Sequence, residues 1–326
     1  MTVFDKPALD IDGQLTTLRD RGLLITDEAY TRHVLTHIGY YRLSAYTRPF
    51  YLSPETEHHF LAGTTIDDVL AVYAFDRELR LLLLDAIERL EVALRAQLAN
   101  TLAVHHAPHG YLDPAVFDSR YRHSWLLDKL EQASREREVE AFLAHYRSKY
   151  TAAPTQPPIW MAVELLTFKE VSTLFANLRL ATDTQRIETH FGLRFPLLKS
   201  WFRSLSDLRN LCAHHARVWN REFGSRPEIP KRLPPNWPDL PAAIPTGSQR
   251  TPGQTLDPRR RLYMQLVAIQ SLMNTVSPGS HWASRLIQLL DRHPRMSRPH
   301  MGFVPGWESE PLWRPAVAQA RAGSIA

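Results

Sequence analysis

The sequence predicts an all-α protein: a helical bundle with an N-terminal helical extension and a C-terminal helical pair packed on it. Two observations favour this fold class. Apolar residues recur at helical spacing along nearly the whole chain, and no stretch shows several spaced strands joined by hairpin turns. The 326 residues are 44% apolar and 22% charged, which is typical of globular proteins and excludes a disordered chain or a coiled-coil rod.

The N-terminal extension, residues 1–60, carries two short predicted helices at 14–21 and 27–38. The bundle, residues 61–225, begins with the longest predicted helix, about 64–103, which has a Thr and an Asp three residues apart at its start and no internal Pro or Gly. Its leucines form an apolar stripe: Leu79, Leu83, Leu90, Leu94 and Leu98. Arg80, Glu88, Glu91 and Arg95 are expected on its polar side.

Further helices are predicted at about 120–150, 161–180 and 196–221. Residues 226–258 form a proline-rich loop, because nine of the 24 prolines lie between Pro227 and Pro258. The C-terminal part, residues 259–326, carries helices at 259–276 and 280–290 and a tail containing Trp and Pro, all expected to pack on the bundle.

The charge composition is compatible with a nucleic-acid partner. The chain carries 39 basic and 34 acidic residues, a formal charge of +5, and only six of the basic residues are lysine. Arginine contacts phosphate through two nitrogens and stacks on bases, although arginine-rich codon usage explains the same composition equally well.

A single cysteine, Cys212, excludes an intramolecular disulfide and suits a reducing compartment. With no secretory signal and no long apolar stretch, we expect a cytoplasmic protein without membrane contact.

The sequence lacks the common local motifs of catalysis. GxxxxGK[ST], GxSxG and HExxH are all absent. Adjacent histidines point about 100° apart on a helix, so the three His-His doublets are poor metal sites. We therefore expect neither a cofactor nor a metal.

The segment 205–221 carries the most informative residues. On a helical wheel its apolar residues form one narrow arc, which predicts a core stripe made of Trp201, Leu205, Leu208, Cys212 and Trp219. His215 lies at the edge of that arc, and a buried structural histidine is the favoured interpretation. The opposite side carries Arg203, Asn210, His214 and Arg217. Such a cluster suits phosphodiester cleavage, yet a plain solvated face has the same composition.

Arg209 belongs to neither side of this wheel. It lies about 140° from His214 around an ideal helix, which is the wrong separation for two residues on one face. Three explanations remain open: the helix is distorted, Arg209 reaches around on its long side chain, or two copies of the segment meet across a dimer axis.

The spacing from Arg209 to His214 resembles the Arg-x4-6-His signature of the HEPN superfamily of helical ribonucleases. More of the chain resembles the Abi-like (abortive infection, AbiD/AbiF-type) family of that superfamily. The segments that carry this resemblance are 39–46, 73–80, 87–95, 158–164, 209–220, 301–307 and 312–313. The proline-rich loop is longer than the family requires, and its role is open.

The resemblance implies a HEPN-like helical bundle and a homodimer whose two motifs form one metal-independent RNA-cleaving site. It also implies a role in phage defence, in some relatives as a toxin restrained by a small noncoding RNA. Catalysis is thereby assigned to Arg209 and His214, with Asn210 as the supporting polar residue. RNA, as target or as noncoding antitoxin, is the implied partner.

The predicted mechanism uses His214 as general acid/base and Arg209 as the phosphate clamp, with Asn210 orienting His214 from the preceding turn. RNA supplies its own 2′-OH nucleophile, so 2′,3′-cyclic phosphate and 5′-OH ends are expected.

Other residues have a candidate role in RNA binding. These are Arg203 and Arg217, together with Tyr40, Tyr41 and Arg42 as a stacking and clamping group, although aromatic residues after a helix more often pack on the core. Glu88, Glu91 and Arg95 either line the site or form an intrahelical ion-pair ladder, the favoured interpretation.

Two alternatives to a nuclease stay open. The chain binds an RNA, such as a small noncoding RNA, without cutting it, or the bundle serves only to dimerise and recruit other proteins.

Overall fold

A computed structural model describes residues 3–4, 6–52, 58–135, 140–240, 244–245 and 255–322. The described chain is all-α, as predicted, apart from two antiparallel two-residue strands, β1 (Ile244–Pro245) and β2 (Thr255–Leu256). The helices are α1 (Ile11–Asp20), α2 (Glu28–Ile38), α3 (Tyr40–Thr47), α4 (Ile66–His106), α5 (His123–Arg135), α6 (Ala141–Lys149), α7 (Ile159–Ala162), α8 (Phe168–Ala176), α9 (Ala181–Phe191), α10 (Phe195–Ala213), α11 (Leu262–Val276), α12 (Trp282–Arg292) and α13 (Arg314–Ala322).

The 41-residue helix α4 is the axis of the fold and is about 60 Å long at 1.5 Å per residue. It begins where the sequence predicts: Thr65 is the N-cap, and its side chain and that of Asp68 complete a capping box. The predicted leucine stripe is fully buried. Helices α3 and α7 to α12 pack on α4, which places the ends of distant segments next to one another.

The C-terminal helices share the core of the bundle. Ten of the 15 residues of α11 are buried, and α11 contacts α4, α9 and α10. Helix α12 packs on α4 and on α13, and α13 is a helix within the segment that the sequence predicts as a tail containing Trp and Pro. The buried core is therefore continuous from Leu15 to Ala320.

Part of the predicted proline-rich loop packs on α10. Residues 226–240 have no regular secondary structure, as the prolines predict. The Trp201 indole nitrogen donates to the Glu228 carbonyl at 2.8 Å, and the Trp237 ring stacks on Trp201 with centroids 6.0 Å apart. Residues 241–243 and 246–254 of this loop lie outside the described residues.

Candidate active site

Helix α10 presents the predicted apolar stripe to the core. Trp201, Leu205, Leu208 and Cys212 are each at most 1% exposed. Burial raises the pKa of the Cys212 thiol to about 12, so this side chain stays a neutral thiol near neutral pH and is a poor nucleophile.

The helix ends at Ala213, eight residues before the predicted end at Arg221. His215 adopts a left-handed conformation with φ of 58°. Its N–H donates to the Cys212 carbonyl at 3.0 Å, and the Ala216 N–H donates to the Leu211 carbonyl at 2.9 Å. These two bonds are the Schellman pattern that closes a helix C-terminus. His214 therefore caps the helix, and Arg217 lies in the loop beyond it, so the predicted helix face does not include Arg217.

His215 is exposed, so the interpretation of it as a buried structural histidine is wrong. The helix is capped at His214, so His215 does not occupy the helical position from which its burial was predicted. We name residues 214–221 the motif loop.

Asp76 on α4 holds the motif loop against the bundle. This carboxylate is completely buried, and its Oδ1 accepts the N–H groups of Val218 and Trp219 at 3.0 and 2.7 Å. Its Oδ2 accepts the Tyr46 hydroxyl at 2.8 Å and forms a salt bridge with Arg80. These bonds satisfy backbone donors that a longer helix would have used.

We name Tyr46, Asp76 and Arg80 the buried network. Sequence analysis placed Arg80 on a polar side of α4, which is wrong, since it is 4% exposed. The available signal was an acid and a base four residues apart beside a leucine stripe, a spacing that brings the two side chains together.

Arg209 and Asn210 lie in the last turn of α10. Arg209 is 39% exposed at its side chain, and its Nε lies 3.9 Å from Glu91 Oε2 on α4. Its Nη1 donates to the Asn210 side-chain oxygen at 3.4 Å, a weak contact. Asn210 thus contacts Arg209, and the structure provides no side-chain bond from Asn210 to His214 for the predicted orienting role.

The His214 ring is exposed, and in the described part of the chain no side chain bonds to it. Its backbone N–H donates to the Asn210 carbonyl at 2.9 Å, which continues the helical pattern for one more residue. Within one chain, Arg209 is turned toward α4 while His214 stands free in solvent. All three explanations for their spacing stay open in the structure of one chain.

Glu91 and Arg95 form a largely buried pair, 13% and 11% exposed at their side chains. Arg95 also donates to the carbonyls of Val163 and Leu166, the latter at 2.7 Å. Arg95 is therefore a link between α4 and the 163–166 segment, and its expected place on a polar side is wrong. Glu91 also forms the 3.9 Å contact with Arg209, whereas Glu88 is exposed and forms no ion pair with Arg95 or Arg209.

The residues predicted to bind RNA divide into two groups. Arg203 is exposed, and Tyr41 is 91% exposed, so both are accessible. Tyr40 is half-buried, and its hydroxyl accepts Arg21 Nη1 at 2.5 Å, as expected for an aromatic residue packed beside a helix. Burial raises its pKa.

Arg42 and Arg217 bind backbone carbonyls of the motif loop. Arg42 Nη2 donates to the His215 carbonyl at 2.7 Å, and Arg42 Cζ lies 5.9 Å from the centroid of the Tyr73 ring. Arg217 Nη1 donates to the carbonyls of Trp219 and Asn220 at 2.6 and 2.9 Å. Both side chains thus shape the loop that carries His214.

The described residues contain no group of three or more His, Cys, Asp and Glu side chains arranged to hold a metal ion. The doublet His105–His106 contacts a fully buried carboxylate, Asp183, at 2.6 and 2.8 Å. Throughout the described ranges, every helix is too short or too polar to cross a bilayer.

The fold and this site define an all-α protein with an arginine- and histidine-bearing loop at a helix end. A family model described as Abi-like protein matches residues 33–220, which is more than half of the chain. The chain belongs to the Abi-like family, which connects it with abortive infection. Neither the curated proteins nor the solved structures gave a significant match.

Proposed function

We propose that this protein is a metal-independent endoribonuclease of an abortive-infection or toxin–antitoxin system. Two copies of the chain form a homodimer, and each supplies Arg209 and His214 to one composite site. The observation that carries the proposal is the free, exposed ring of His214 at the end of α10, five residues after Arg209, where the motif loop is held by Asp76. Membership in the Abi-like family supports the biological context.

The chemistry follows from the groups in the site. The 2′-OH of RNA attacks the neighbouring phosphorus, the bond from phosphorus to the 5′-oxygen breaks, and a 2′,3′-cyclic phosphate forms. One His214 takes the proton from the 2′-OH, and the other gives a proton to the departing 5′-oxygen. Arg209 stabilises the negative charge that builds on the phosphorus oxygens, and Glu91 holds its guanidinium in place until RNA binds.

The test is cleavage of end-labelled RNA by the purified protein in EDTA, followed by analysis of the product ends. We expect 5′-OH and 2′,3′-cyclic phosphate termini. His214→Ala should lower the rate by about 10²–10⁴-fold, the range of general acid–base catalysis. Arg209→Ala should lower it by about 10²–10³-fold, as for loss of one charge-stabilising donor.

Matched controls are His215→Asn and Arg186→Ala. His215 is the exposed neighbour of His214, and Asn tolerates its left-handed backbone. Arg186 is an exposed arginine on α9. Both variants should cleave like the original protein. A Mg²⁺ requirement with 5′-phosphate products would refute the mechanism, and tight RNA binding without cleavage would favour the non-catalytic RNA-binding function.

The composite site has its own test. Arg209→Ala and His214→Ala homodimers should each cleave RNA at least about 10²-fold more slowly than the original protein. A mixed dimer contains one intact arginine and one intact histidine, so one of the two proton transfers keeps its histidine. Mixing the two variants should therefore restore part of the activity after subunit exchange, without reaching that of the original protein. A monomer in sedimentation that still cleaves RNA would refute the dimeric site.

A further inference from the structure

Arg261 differs from every other deeply buried arginine of the described residues. Three arginines are at least nine-tenths buried: Arg80, Arg95 and Arg261. Arg80 pairs with Asp76 and Arg95 with Glu91, whereas Arg261 forms no salt bridge within the described chain. A buried charge without a counter-charge costs free energy, so its persistence in a fold points to a ligand that supplies the missing charge.

Hydrogen bonds link Arg261 to the motif loop. Arg261 and Arg217 both contact Asn220, and Arg221 contacts Arg217. Arg261 Nη1 donates to the Asn220 side-chain oxygen at 3.2 Å, and Arg217 Nη1 donates to the Asn220 carbonyl at 2.9 Å. Arg221 Nη1 donates to the Arg217 carbonyl at 3.3 Å. Neither Arg217 nor Arg221 has a carboxylate partner in the described ranges. We name Arg217, Arg221 and Arg261 the arginine cluster.

The arginine cluster has N–H donors that the protein contacts described above do not use. Each guanidinium carries five N–H groups, and the protein contacts above use one nitrogen of each. The Nε of Arg261 is buried with no hydrogen-bond partner. An unmade bond at a buried donor carries a desolvation cost that a bound acceptor would remove.

The electrostatics agree with a missing anion. Burial lowers the pKa of Arg217, and the charges of Arg221 and Arg48 act in the same direction, while Asp76 opposes them. Burial also lowers the pKa of Arg261, while the charge of Glu222 opposes this shift and that of Arg217 adds to it. The nearest acids are already engaged: Asp76 binds Arg80, and Glu222 lies 3.3 Å from Arg260.

We propose that the arginine cluster is a phosphate-binding subsite that holds a backbone phosphate of the RNA strand beside the Arg209–His214 site. This inference rests on the proposed function for its ligand. The chain path supports the placement, since Arg217 follows His214 by three positions, which span at most about 11 Å. Arg221 and Arg261 lie outside the family match at 33–220, so the C-terminal part of the chain completes the subsite.

The test uses a 2′-O-methyl RNA, which lacks the nucleophile and separates binding from cleavage. Affinity is measured by fluorescence anisotropy across a salt series for the original protein and for Arg217→Gln, Arg221→Gln and Arg261→Gln. Each lost phosphate contact should weaken binding about tenfold and reduce the slope of log affinity against log salt by about one. Arg217→Lys should retain most of the slope because it keeps the charge. Arg186→Gln should leave the slope unchanged.

The outcomes separate the two proposals. Unchanged slopes in all three cluster variants, with cleavage intact, overturn the subsite and leave the nuclease standing. Reduced slopes in a protein that never cleaves RNA support the subsite and refute the nuclease. Inorganic phosphate serves as a second probe: if it raises the melting temperature in an Arg261-dependent way while RNA does not bind, the site takes free phosphate and the RNA assignment is wrong.

Discussion

The two sides of the motif loop neutralise their arginines in opposite ways. On the α4 side, Arg80 is buried against Asp76 and also donates to the Tyr46 hydroxyl. On the other side, Arg261 is buried to the same degree and forms no salt bridge within the described residues, although the charge of Glu222 acts on it. A paired buried charge fixes the position of a loop, whereas a buried charge without a salt bridge carries an uncompensated desolvation cost.

The largest expected effect is a difference in the free energy of unfolding between variants at Arg80 and at Arg261. Arg80→Met leaves Asp76 buried without its cation and should lower the free energy of unfolding by about 3–5 kcal/mol. Arg261→Met removes a charge that has no partner, so its cost should be at most about 1 kcal/mol, and a gain is consistent with the comparison. Urea denaturation of both variants measures the difference. Equal losses would mean that Arg261 is structural.

An intermediate effect concerns the hydroxyl in the buried network. Tyr46 donates to the Asp76 carboxylate at 2.8 Å, so Tyr46→Phe should cost about 1.5–3 kcal/mol, as for a hydrogen bond to a charged group. The matched control is Tyr111, equally buried, whose hydroxyl donates to the neutral Pro157 carbonyl at 2.7 Å. Tyr111→Phe should cost about 0.5–1.5 kcal/mol. A larger loss at Tyr111 than at Tyr46 would contradict the charge-assisted network.

These networks also show what the sequence predicts and what it leaves out. The leucine stripe of α4 and a Thr–Asp cap at its start are confirmed, because each depends on residues within one or two turns. The end of α10 depends on Asp76, more than 140 residues away in the chain. Helical periodicity depends only on residues close in sequence and cannot indicate a distant partner such as Asp76. The predicted helix therefore continues to Arg221, through the motif loop.

The same reason explains the errors at charged residues of α4. The residues next to Arg95 on the helix predict a polar surface position. Its guanidinium instead donates to the backbone carbonyls of Val163 and Leu166. For the candidate site, the sequence supplies the residues Arg209 and His214 through a family resemblance. The contribution of Arg261 becomes visible only when α11 packs beside the motif loop, since no pattern links it to Arg217.

The smallest expected effect on stability lies at Arg209, between the two sides. Its contact with Glu91 spans 3.9 Å, and its side chain is 39% exposed, so solvent screens most of the attraction. Arg209→Met should therefore change the free energy of unfolding by less than about 1 kcal/mol. Thermal and urea denaturation beside the cleavage assay measure this. Because the fold stays intact, any loss of cleavage in this variant reports on chemistry, whereas a loss of several kcal/mol would place Arg209 with the supporting arginines of α4.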